Sequence, residues 1–85
     1  FNTFGAELHD DPAMSAGPVD VPLAGDDAEA KAVVTELCAA GGFRALDAGP
    51  LRNAAVVENL AVLWIHLAMV GGHGREVAFK LVGRP

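Results

Sequence analysis

The sequence predicts half of an open α/β sheet, mostly parallel and with flanking helices, on three observations. A strand-like run at Val19 to Ala24 precedes a helical repeat, a second strand at Phe43 to Asp47 and a long helix from about Leu51 to Val70. That order, strand, helix, strand, helix, implies parallel pairing through a right-handed crossover. The last helix is apolar almost all round, and 85 residues cannot cover it well.

Taken in order, Phe1 to Thr3 reads as the end of a strand. Phe4 to His9 reads as a turn or short helix that stops by Asp10-Asp11-Pro12, because proline disfavours helix at its predecessor. Residues 11 to 18 are expected to be loop. Val19 to Ala24 alternates apolar and polar before Gly25, and Pro22 suits an irregular start or an edge position. Asp26 is the expected N-cap of the first helix, with Glu29 completing a capping box. Ala30, Val33, Val34, Leu37, Cys38 and Gly41 fall on one apolar face, and Lys31, Thr35 and Glu36 on the opposite one. Gly41-Gly42 ends the helix by supplying a left-handed conformation.

Ala48-Gly49-Pro50 follows the second strand as a turn, with Pro50 at a tolerated first-turn position of the long helix. Arg52, Asn59 and His66 recur at a spacing of seven and project from that helix as one narrow stripe, met by water or by a ligand. The remaining faces are expected to pack on the sheet and on further material, a missing N-terminal half or a second subunit. A homodimer is the expected assembly. The stretch Leu60 to Val70 is too short for a membrane span and is expected to be a buried helix. Glu76 to Val82 adds a terminal strand after the Gly71-Gly72-His73-Gly74 break.

Composition narrows the function classes. The chain is 52% hydrophobic and 20% charged, with mean hydropathy +0.32, which argues against disorder. The net charge is -5, carried as -7 up to Phe43 and +2 beyond it. Such a field repels phosphate backbones and anionic lipid, so neither nucleic acid nor a membrane is expected as partner. Cys38 is the only cysteine, which points to a reducing, cytoplasmic compartment. Phe1 in place of Met predicts that the chain is the back part of something longer.

Familiar reactive motifs are absent. Gly72-His73-Gly74 lacks the third glycine of a dinucleotide fingerprint and follows a helix instead of a strand. His9, His66 and His73 have no partner at zinc-ligand spacing, so no metal is assigned. Ser15 lacks a nucleophile-elbow context, and Cys38 sits on an apolar helix face. No catalytic residue is assigned. Asp47, at a strand-to-turn junction, is expected to satisfy backbone N–H groups of its turn.

Three segments lie where an open α/β sheet places its ligands: Phe1-Asn2-Thr3-Phe4-Gly5-Ala6, Gly25-Asp26-Asp27, and Leu46-Asp47-Ala48-Gly49-Pro50-Leu51-Arg52-Asn53. With Gly42-Phe43-Arg44 and Glu58, they carry a resemblance over nearly the whole chain. The sequence is similar to the C-terminal part of the NADPH-dependent deazaflavin (coenzyme F-420) reductase family, which itself resembles the cytosolic reductase domain of transmembrane ferric reductases. The resemblance implies a partial Rossmann-like reductase domain spanning residues 1 to 85 and lacking its N-terminal dinucleotide-binding half. It implies hydride transfer between NADP(H) and coenzyme F-420, or a flavin (FAD or FMN).

Family positions on the deazaflavin side match Asn2 and Phe4, Asn59 and Ala61 in the long helix, and a position near Val77. The main chain at Ala6 matches the place that meets the nicotinamide amide. Gly5 would let backbone approach a ring, and Thr3 completes the first motif, where it could also cap a short helix. Some deazaflavin-using members have His where this chain has Asn2, whereas Phe-Asn-Thr is similar to the ferric-reductase branch, whose carrier is a flavin. Two other readings remain: a non-catalytic oligomerisation or scaffold module held by the long helix, and a small-anion site at the Arg52 helix start.

Overall fold

A computed structural model describes residues 13–14 and 17–83. Within that range the chain is a mixed α/β unit. Two short strands, β1 (Ala13–Met14) and β2 (Gly17–Pro18), pair antiparallel. Next come β3 (Asp20–Leu23), helix α1 (Ala28–Ala40) and β4 (Arg44–Asp47). A 3-10 turn at Leu51–Asn53 runs into α2 (Ala54–Ile65), which continues as a π-helical turn at His66–Val70.

β3 and β4 pair in parallel, with Asp20 opposite Arg44 and Leu23 opposite Asp47. The expected strand, helix, strand, helix order is present in these elements. Val21 is fully buried, as a strand covered on both faces requires, and packs in one core with Val19, Cys38, Phe43, Trp64 and Ala68. Residues 13–14 and 17–18 form the small antiparallel pair instead of loop, with Gly17, opposite Met14, at φ +114.

The cap of α1 is shifted by one residue from the expected position. Asp27, not Asp26, accepts from the amides of Glu29 (2.9 Å) and Ala30 (3.1 Å). Gly42, at φ +85, supplies the expected left-handed residue after the helix. The inward stripe is also narrower than the apolar pattern predicts: Cys38 is buried and Val34 half-buried, whereas Val33 and Leu37 are 58% and 63% exposed. A pair of strands spaced about 4.8 Å apart is too narrow to cover both flanks of a helix. Lys31, expected on the outward face, turns inward.

The long helix departs further from expectation. Ala61, Trp64 and Ala68 pack on the core, but Val56, Val62, Ile65, Met69 and Val70 are each more than half exposed. The stretch expected to be buried is therefore largely uncovered. Leu51–Val70 is a 20-residue helix with an 18-residue stretch of mean hydropathy 1.5, so by length and composition alone it passes for a membrane span, as the core helix of a soluble protein also can. Glu76 to Val82 does not form the expected strand. It is extended, with an isolated bridge at Ala78, and is tied down by side chains.

Candidate functional site

The carboxyl ends of β3 and β4 carry two of the three motifs, and the structure interlocks them. Gly25 N–H donates to Gly49 O (3.0 Å) and Ala48 N–H to Leu23 O (2.6 Å), so the two turns are hydrogen-bonded backbone to backbone. Asp26 reaches across to accept from the Leu51 amide at 2.9 Å. It therefore serves the start of the second helix while Asp27 serves the first. Lys31 Nζ, from the first turn of α1, donates to Asp47 Oδ1 (3.0 Å) and to Gly49 O (3.3 Å).

Asp47 behaves as its position predicts, accepting from Gly49 N–H at 2.8 Å. That backbone bond, followed by the one from Lys31, holds its carboxyl below the usual range against a small opposing effect of burial. Gly49 has φ +92, and a Cβ there would stand 2.8 Å from Asn53 Nδ2, which donates to Ala48 O. Only glycine fits this turn without displacing the side chain that closes it.

An open crevice of about 370 Å³ lies beside these turns. Its apolar wall is Pro22, Leu23, Ala24, Ala30 and Val34, and Asp26, Asp27 and Lys31 stand at its rim. Asp26 and Asp27 accept from helix amides and Lys31 donates to Asp47 and Gly49, so among the described residues the crevice offers shape and apolar surface with its rim charges already engaged. The small-anion reading of the Arg52 helix start meets a specific obstacle, since the chain's own Asp26 carboxylate already takes the Leu51 amide.

The other expected positions are scattered. Asn2, Thr3, Phe4, Gly5 and Ala6 lie outside the described residues. Asn59 is exposed on the outer face of α2, and Ala61, two residues on and so roughly 200° around the helix, is only 8% exposed on the inner face. The two do not share a surface. Val77 is half-buried against the core, and its carbonyl accepts from Trp64 Nε1 at 2.6 Å. Arg52 and His66 are solvent-facing like Asn59, so the stripe meets water. Among the described residues no three His, Cys, Asp or Glu side chains gather as metal ligands.

Sequence reasoning missed Asp26 as a cap on a helix 25 residues away and Lys31 as a bridge between turns. Lys31 left a legible trace, since it is the only cation before Arg44 and the second turn contains a carboxylate at its start. No protein-family model and no solved structure matches the chain.

Proposed function

We propose that the chain is part of an oxidoreductase in which hydride passes between NADP(H) and coenzyme F-420 or a flavin, within a Rossmann-like open sheet of which these elements are the C-terminal half. The observation that carries this reading is the parallel β3–β4 pair with a crevice at its carboxyl end, where open α/β sheets receive their ligands. The motifs quoted above supply the identity of the cofactors.

The crevice fits one part of such a ligand and not another. Its wall of Pro22, Leu23, Ala24, Ala30 and Val34 suits a flat ring, and its rim of Asp26 and Asp27 disfavours phosphate. Phosphate groups must therefore be held elsewhere. Nicotinamide and deazaflavin supply the hydride chemistry themselves when bound, so the protein's part is to stack and orient the rings and to exclude water. In this reading the interlocked turns keep the apolar wall in one shape, and Asn2, Phe4 and the Ala6 main chain contribute polar and aromatic contacts.

The uncovered face of α2 favours a second reading, a non-catalytic oligomerisation or scaffold module, and under either reading that face is the surface for a second copy in a homodimer. One titration separates the two. Coenzyme F-420, FAD and NADPH are each added to the protein while cofactor fluorescence is followed. Saturable quenching that Ala30→Trp abolishes supports the reductase. No response to any of the three, together with self-association in sedimentation, leaves the module.

A further inference from the structure

The segment after the long helix crosses a second apolar groove, which shares only Pro22 with the lining of the crevice. On one side of Phe79 is a space of about 280 Å³ bounded by Pro22, Leu46 and Leu60, and on the other a space of about 150 Å³ bounded by Trp64, Leu67 and Val77. Phe79 lines both, so its ring divides one groove between the helix and the sheet.

The ends of the crossing segment are held by side chains. Trp64 Nε1 holds the Val77 carbonyl, and at the far end one carboxylate gathers the rest. Asp20, whose side chain is 3% exposed, accepts from Lys80 Nζ and the Leu81 amide, each at 2.7 Å. It also accepts from Arg44 Nε and Nη2, each at 2.7 Å. Lys80 further donates to Pro18 O (2.8 Å) and Arg44 to Leu81 O (2.6 Å). Ahead of the segment, Gly72 and Gly74 both have φ +79, with open space where a side chain would stand.

We propose that residues 75–82 form a strap that lifts and closes as a unit, hinged at Gly72 and Gly74, plugged by Phe79 and latched on Asp20. The division of the bonds favours such motion. Arg44 and Asp20 face each other across the β3–β4 pair, so their two-pronged ion pair stays when the strap leaves. Lifting removes Lys80 and the Leu81 amide from Asp20 but does not strand a buried charge, which is the costly outcome in breaking a buried ion pair. Once lifted, the strap opens the two spaces into one groove that controls access to the inner face of the helix.

The test uses the full chain and its single tryptophan, Trp64. Lys80→Met removes the charged part of the latch, leaving the Leu81 bonds and the Asp20–Arg44 pair, and Lys80→Arg keeps a charge there. Hydrogen exchange read by mass spectrometry should accelerate roughly tenfold or more in Lys80→Met at strap peptides that contain the Leu81 amide, which donates to Asp20, as loss of a charged hydrogen bond implies. Exchange in α1 and β4 should stay unchanged, Trp64 emission should move to the red, and Lys80→Arg should restore both signals. Unchanged exchange in the strap overturns the proposal. So does protection lost throughout Lys80→Met at once. In the wild-type protein, strap amides that exchange only with those of α1 at every denaturant concentration likewise overturn it.

Discussion

Asp26 accepts the amide hydrogen of Leu51 at 2.9 Å, and so a carboxylate that precedes α1 caps the helix that follows β4. Its neighbour Asp27 caps α1 itself. Adjacent acids thus serve helices on either side of a strand, which couples the two turns that border the crevice.

Replacing Asp26 by Ala should therefore cost as much as removing a helix cap, about 1 kcal/mol. Asp27→Ala should cost a similar amount. Urea unfolding of the two variants checks this, and an Asp26→Ala midpoint equal to that of the parent protein would show that the long-range cap adds nothing.

Gly49→Ala should destabilise by more than about 1 kcal/mol, since it combines a positive φ with a steric conflict. The Cβ would meet Asn53 Nδ2 at 2.8 Å. Adding Asn53→Ala should recover the steric part and leave the backbone part. Equal melting temperatures for the single and double variants would mean that Asn53 does not close the turn.

Acid should loosen the strap through Asp20. Burial pushes this carboxyl up, but hydrogen bonds from Arg44, Lys80 and the Leu81 amide, with the Lys80 charge, outweigh burial and bring it to about 2. A carboxyl depressed in the folded state contributes stability that is present above its unfolded value of 3.8 and is lost as pH falls through about 2. The contribution is about 2 kcal/mol at neutral pH. Trp64 emission followed between pH 4 and pH 2 should show a transition that is missing in Asp20→Asn, and a pH-independent signal over that window would refute the linkage.

Leu63→Glu places a charge in the uncovered face of the long helix, where Leu63 is 48% exposed. Folding should change little, within about 0.5 kcal/mol, as for other surface substitutions. Self-association measured by sedimentation should weaken at least tenfold if that face joins two copies. An unchanged sedimentation profile would assign the contact to another surface.

Local chemistry made several elements readable in advance. Pro50 and Gly49 marked the turn, Gly41-Gly42 the end of α1, and Asp47 its own backbone bond, because each effect acts over a few neighbouring residues. The Asp26 and Lys31 contacts were not readable in the same way. They join residues 16 to 25 positions apart, and the same residue types satisfy a local capping box or a solvated face equally well in the linear pattern. Asn59 and Ala61 illustrate the converse: a resemblance names both, and helical geometry sends them to opposite sides.

By itself, the sequence determined the alternation of strand and helix, the parallel order it entails and an apolar long helix exceeding what so short a chain can shelter. These follow from periodicity, turn residues and the ratio of surface to volume. Tertiary structure decided which carboxylate caps which helix, which cation faces inward, and that Glu76 to Val82 is a side-chain-tethered strap instead of a strand. Those outcomes depend on distances between residues far apart in the chain, where a buried carboxylate must find its donors wherever folding brings them.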